Sequence, residues 1–336
     1  MTRKTVIHAL VLTSPLFIAS ASLFIGAYGV SPLMVVRSLL YELLPYGSAM
    51  ADLPEKSIIL DIRVPRVLLA AIVGVALSGS GVTLQGVFRN PLVDPFILGL
   101  SAGAAFGCAI SIGFFPALPV QLSAFLFSIG SVLLAYNIAR SQGEVSRLPL
   151  ILSGVIISAF FTALTSIVKF LVDPHKLQNI VFWLMGSFSL ADWHTISVSG
   201  VGILIALCPV YLMRWRLNVL SMGEDEAKLL GINVMRDRLI FVVSSTIAVS
   251  LAVSVSGIIG WVGLMVPHLV RMITGPDHRT LVPLSMAAGA AFMIFADTVA
   301  RSITTYEIPV GIITAISGAP FFIYLMKKGG KESWGR

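Results

Sequence analysis

Arg66-Val-Leu-Leu-Ala-Ala-Ile-Val-Gly-Val-Ala-Leu-Ser-Gly-Ser-Gly-Val-Thr-Leu-Gln-Gly-Val87 carries a charge only at its first position. As a helix rising 1.5 Å per residue it spans about 33 Å, enough to cross a hydrocarbon core about 30 Å thick. No polar stripe recurs along it, so it is not a surface helix of a soluble globule. Outward from it, comparable apolar runs occupy 6–28, 96–114, 117–139, 148–172, 192–213, 238–259, 280–300 and 308–326, and a shorter piece, 261–274, is interrupted by Pro267 and His268. Counting that piece gives ten spans.

The composition agrees. Of 336 residues, 57% are apolar and 12% charged, against about 45–50% and about 25% in soluble domains. Mean hydropathy is +0.94. A cytosolic enzyme or nucleic-acid binder of this length would need far more polar surface, so lipid is the solvent for much of the chain. The expected fold is all-α and polytopic, one transmembrane domain over residues 1–336 with no linker or low-complexity boundary.

The net charge of +7 reads as Lys and Arg retained on cytoplasmic loops rather than as a nucleic-acid footprint. With both termini inside, sixteen of the basic residues fall on inner loops and seven on outer ones, which sets the orientation. Arg3 and Lys4 ahead of an apolar stretch, with small residues at 19–22, resemble a signal peptide. The length of the run and the downstream charge bias favour a retained first helix. Cys108 and Cys208 sit singly in apolar runs and read as packing residues rather than a disulfide or zinc site. A weak internal echo exists. Ser78-Gly79 and Ser256-Gly257 are each expected to end a long helix ahead of a Pro-interrupted segment, and spans 2–5 and 7–10 run in opposite directions, as in inverted-repeat transporters.

Three polar segments stand out. In 214–238, Ser221 with Glu224 is expected to form a capping box. Glu224, Asp225 and Glu226 would fill a first helical turn, where the dipole favours anions. Leu229 and Leu230 supply an apolar side, and Gly231 is a stop signal. This reads as a short amphipathic cytoplasmic helix for docking a partner, or as a solvated loop. In Gln85-Gly-Val-Phe-Arg-Asn-Pro-Leu-Val-Asp-Pro95, the Asn, Pro and Asp residues break the helix at the inner face, as a gate or as a plain turn. At Asp61-Ile-Arg-Val-Pro-Arg66 and at Arg301, arginines fall on the outer side against the charge bias. They anchor headgroups or dock an acidic partner, and an Asp297–Arg301 i,i+4 pair is the competing structural role. No phosphate loop, metal cluster or nucleophilic triad is recognisable, and mid-membrane charges are few.

Gly257-Ile-Ile-Gly-Trp-Val-Gly-Leu-Met-Val-Pro-His-Leu-Val-Arg271, Gly275-Pro-Asp-His-Arg279, Ala296-Asp-Thr-Val-Ala-Arg301 and Ile308-Pro-Val-Gly-Ile-Ile-Thr-Ala-Ile-Ser-Gly-Ala-Pro320 resemble the permease family of type II ABC importers. That family carries iron–siderophore chelates, haem and vitamin B12, with some members assigned molybdate. Ile62–Arg66, Leu84–Pro95 and Leu220–Gly231 match it as well, so the resemblance covers about 60 to 330. Trp261 departs from it, standing where many relatives carry Phe.

The resemblance implies a vitamin B12 transporter permease-like fold in the inner membrane of a prokaryote. It further implies a homodimer, two ATPase subunits that hold ATP and Mg, and a periplasmic or lipid-anchored binding protein. No cofactor is expected on this chain and no covalent chemistry is assigned to it. Within 215–236, Ser221, Gly223, Glu224, Ala227, Leu229, Leu230 and Gly231 match the coupling helices that dock in the ATPase. Arg63, Arg66 and Arg301 match positions that salt-bridge to the binding protein. Asn90 and Leu92 match the cytoplasmic gate loop, and Ser146 and Arg147 a second gate region. The expected function is import of a metal chelate. The alternatives are molybdate or tungstate import within the family and an ion-coupled secondary transporter outside it.

Overall fold

The computed structural model describes residues 3–26, 28–43, 54–141, 144–145, 147–304 and 306–329. In chain order its helices are α1 (Arg3–Phe24), α2 (Pro32–Leu43), α3 (Pro54–Ser57), α4 (Val64–Phe88), α5 (Leu100–Phe114), α6 (Val120–Ala139), α7 (Arg147–Leu171), α8 (Pro174–Met185), α9 (Trp193–Met222), α10 (Glu224–Leu229), α11 (Val234–Ser256), α12 (Val262–Thr274), α13 (His278–Ala300) and α14 (Val310–Gly329). A π-helical turn, Ile58–Arg63, joins α3 to α4, and a 3-10 turn, Pro95–Leu98, precedes α5. Two two-residue strands, β1 (Arg140–Ser141) and β2 (Glu144–Val145), pair antiparallel.

Each of the ten apolar runs coincides with a helix. Seven of these helices are long and apolar enough to cross a membrane, and Leu100–Phe114, Val262–Thr274 and Val310–Leu325 are shorter apolar helices. The shortening has local causes. Pro95 and Gly99 hold the chain ahead of α5, and α12 begins only after Gly257 and Trp261, both at positive φ.

The centre of the bundle is α4, whose C-terminal half, residues 76–88, is buried on every face. It packs on α9, α11, α12 and α13, while α11 packs on α4, α5, α6 and α9. That exchange of partners is what an inverted repeat of α4–α7 and α11–α14 produces. Small residues make the approach possible. A Cβ built on Gly74 would lie 2.2 Å from the Gly289 carbonyl oxygen, and one on Gly81 would lie 1.9 Å from that of Gly263. Lipid supplies no hydrophobic drive between helices, so such close backbone contact is a main source of their cohesion.

One expectation about helix ends needs correcting. Ser78-Gly79 lies inside α4 rather than at its end, because the Ser78 hydroxyl bonds the Ser285 carbonyl at 2.7 Å and Gly79 packs on Met286. Of the two Ser-Gly pairs, Ser256-Gly257 alone stands at a helix end, with Gly257 at φ +69°. The first apolar run packs as α1 along α13, with the Ser22 hydroxyl 2.7 Å from that of Thr298.

Candidate functional site: the α10 segment, the loop after α4 and the arginine cluster

The long α9 runs past the apolar zone and stops at Met222. Gly223 then extends the chain, and α10 packs against α9 and α11. Glu224, Asp225 and Glu226 form its first turn, as the helix dipole favours. The capping box is not formed. Ser221 lies in the last turn of α9, and its hydroxyl donates to the Leu217 carbonyl at 2.7 Å, leaving Gly223 at the N-cap. Gly231, at φ +75°, ends the segment as its composition indicates.

What fixes α10 is tertiary. Ala227 is fully buried against the bundle, and Arg238 donates to the Glu224 carboxylate at 2.5 Å. Arg216 pairs with the buried Asp237 at 2.9 Å, tying the C-terminal end of α9 to the N-terminal end of α11 beside it. Leu229 and Leu230 are left 88% and 61% exposed. A helix anchored on one side and presenting two bare leucines on the other, away from the apolar spans, has the form of a docking element.

The loop after α4 begins where Arg89, at φ +53°, caps that helix. The Asn90 side-chain oxygen accepts the Leu92 amide at 2.9 Å, and Asp94 caps the 3-10 turn through the Phe96 amide at 2.8 Å. Burial pushes the Asp94 carboxyl up to about 6, against the opposing pull of that amide. Asn90 and Leu92 are exposed. Beneath them the Gln85 amide donates to the Gly263 carbonyl at 3.3 Å, and Arg271 donates to its side-chain oxygen at 2.9 Å.

A cleft of about 560 Å³ opens here, bounded by Gln85, Arg89, Asn90, Asn218, Met222 and His278 among others. Asn218 closes its far side. Its amide donates to Asp277 at 2.6 Å, and its oxygen accepts the His278 amide at 2.8 Å. The Arg279 amide and the Asn218 side chain hold the Asp277 carboxyl below its ordinary value. The loop after α4 and the end of α9 that leads into α10 therefore border one cleft. Ser146 lies outside the described residues, and Arg147 is the first residue of α7.

At the opposite end, Arg63, Arg66 and Arg301 gather but turn inward. Arg66 forks onto Asp297, with the closest contact at 2.9 Å, and reaches Glu307 at 2.7 Å. Arg301 donates to the Ser22 carbonyl and hydroxyl at 2.6 and 2.7 Å and sits 3.6 Å from Asp297. Arg63 donates to the Leu23 carbonyl at 2.8 Å and to that of Tyr28. All three are buried, at 4–6% exposure. The i,i+4 pair weighed from the sequence is thus present, joined by Arg66 from α4. The cluster caps the last carbonyls of α1, which have no partner within their own helix. Sequence reasoning missed Glu307, Asn218, Asp277 and Asp237, whose partners lie far away along the chain.

The profile of the FecCD transport family matches residues 12–328. The chain belongs to the FecCD transport family. Its curated relatives include a "Probable iron chelatin transport system permease protein" of Helicobacter pylori, 46% identical over 269 residues, which are 80% of this chain and 82% of that one. A molybdate import system permease protein of Haemophilus influenzae is 42% identical over 284 residues, 83% and 84% of the two chains. Among solved structures, "An inward-facing conformation of a putative metal-chelate type ABC transporter" superposes with a TM-score of 0.84 at 39% identity, covering 96% of this chain and 99% of that one. FecCD membership and these relatives make the chain a permease subunit of an ABC importer.

Proposed function

We propose that this permease forms the membrane path of an ATP-driven importer for a metal chelate, of the iron–siderophore, haem or corrinoid type. Two copies enclose the path, with two ATPase subunits bound beneath. A binding protein delivers cargo from the other side of an inner membrane, and both termini of the permease face the cytoplasm. All ten apolar helices are spans in this reading, including the three short ones. The FecCD relatives support the class, and the Helicobacter and metal-chelate relatives support the cargo.

The observation that carries the mechanism is α10. Leu229 and Leu230 stand clear of the bundle while Ala227 and Glu224 fix their helix to it. The exposed leucines seat in the ATPase, so that nucleotide-driven motion of the ATPase moves α10 and, with it, the inner ends of α9 and α11. Asn90 and Leu92, with Ser146 and Arg147, close the inner mouth. The binding protein docks on the outer face above Arg63, Arg66 and Arg301, which hold that face rigid from below.

Leu229→Pro tests the reading. It breaks a short docked helix without touching a span, so the complex should lose its stimulation of ATP hydrolysis while the bundle stays folded. A complex carrying this change that assembles and hydrolyses ATP normally would exclude α10 as the coupling element. The 42% identity to a molybdate permease supports oxyanion import as a second reading. Which ligand the partner binding protein retains decides between them.

A further inference from the structure

We infer that Arg89 is the positioning residue that carries movement of the coupling segment to the inner loop. The inference rests on the assignment of α10 to ATPase docking and of Asn90 and Leu92 to the gate.

Arg89 adopts φ +53° and ψ +37°, and with Trp261 it is one of two non-glycine residues at positive φ among the described residues. A helix C-terminus in that conformation ordinarily takes glycine, which adopts it without a Cβ clash. Here the position carries the longest cationic side chain instead, and that side chain has a definite destination. Its Nη2 donates to the Met222 carbonyl at 3.4 Å. Met222 is the last residue of α9, and Gly223, the extended hinge into α10, follows it directly. The carbonyl has no acceptor role within its own helix and carries the partial negative charge of the helix end, so a guanidinium suits it.

Arg89 also borders both inner clefts. One is shared with Asn218, Arg271 and His278, the other with Gly223, Glu224, Asp225 and Glu226. On the loop side the connection is covalent and short. Asn90 follows, and its side chain holds the Leu92 amide. A displacement of Met222 and Gly223 that pulls on the guanidinium therefore reaches Leu92 through three residues of constrained backbone. The glycine expected at this position would keep the turn and lose the link.

The test uses the full complex in lipid nanodiscs and in vesicles, comparing the parent with Arg89→Gly, Arg89→Asn and Arg89→Lys. Glycine and asparagine both accept the left-handed turn, so either variant removes the guanidinium while sparing the backbone. ATP hydrolysis by the complex should stay within about twofold of the parent. Cargo imported per ATP should fall at least about tenfold, and Lys should recover part of it, as a hydrogen-bonding cation on a flexible stem. Leu92→Cys, in a chain also carrying Cys108→Ala and Cys208→Ala, should cross-link between subunits with a yield that follows nucleotide state when Arg89 is present. In Arg89→Gly that yield should no longer follow it.

Unchanged import per ATP and unchanged nucleotide-dependent cross-linking in Arg89→Gly and Arg89→Asn would overturn the inference. So would a parallel loss of hydrolysis and import, which would make Arg89 an assembly residue. Leu229→Pro run alongside separates the two readings. If it hydrolyses ATP normally the coupling assignment itself fails, whereas if it does not, the Arg89 result stands on its own.

Discussion

Asp297→Asn removes one charge from the most enclosed ionic cluster described and keeps the side chain's shape. Asp297 is 1% exposed and serves two guanidiniums at once, Arg66 at 2.9 Å and Arg301 at 3.6 Å. In the variant both arginines remain buried around a neutral amide. Removing one partner of a buried pair costs about 3–5 kcal/mol, because the surviving charge is left desolvated. Arg66 keeps Glu307, which is half exposed, and Arg301 keeps the Ser22 carbonyl. Those residual contacts place the expected loss near the lower end, about 3 kcal/mol. Reversible unfolding of the purified chain in mixed micelles measures it directly. Paired with Arg66→Gln in a double-mutant cycle, Asp297→Asn should show a coupling of at least about 1 kcal/mol. A loss below about 0.5 kcal/mol, the range of ordinary surface changes, would refute the view that this cluster locks α1 and α13 to α4.

Other outcomes follow from the same geometry. Gly289→Leu should prevent folding, since even a Cβ at that position would lie 2.4 Å from the Gly74 carbonyl oxygen; size-exclusion profiles of the detergent-purified protein report it. Arg238→Ala should cost about 0.2–1 kcal/mol of stability, as a partly exposed pair does, yet lower ATPase stimulation several-fold by freeing Glu224 and α10. The raised Asp94 carboxyl stabilises the folded chain most below the ordinary carboxylate range, and that contribution is lost as pH rises through about 6. The unfolding midpoint should therefore fall as pH rises from about 4 to about 6 and level off above that, and Asp94→Asn should flatten that part of the profile.

The ten apolar segments were readable as helices because a long apolar run satisfies its backbone polar groups within itself, and the runs coincide with helices even where Pro95 and Trp261 shorten them. Gly231 was readable for the same kind of reason, as a local backbone requirement. Ser221 was misread because hydroxyl capping competes with bonding back to the carbonyl four residues earlier. Continuation of α9 to Met222 decided that competition, and no local pattern encodes how far a long helix runs. The outer arginines were found by their breach of the charge bias. Their inward partners were only half legible, because Asp297 shares a helix with Arg301 whereas Arg66 and Glu307 meet across 241 residues of chain. Arg89 was legible as a cation in a broken helix, but its link to Met222 needed the fold.

The central claim, that this FecCD permease imports a metal chelate at the expense of ATP, is tested most directly in sealed vesicles. These would hold the permease with its ATPase subunits, and the cargo-loaded binding protein would be supplied outside. Accumulation of the radiolabelled metal chelate should require ATP on the ATPase side, stop in vesicles lacking the permease, and persist when ion gradients are collapsed by ionophores. Accumulation that proceeds without ATP and disappears with the ion gradient would contradict the account.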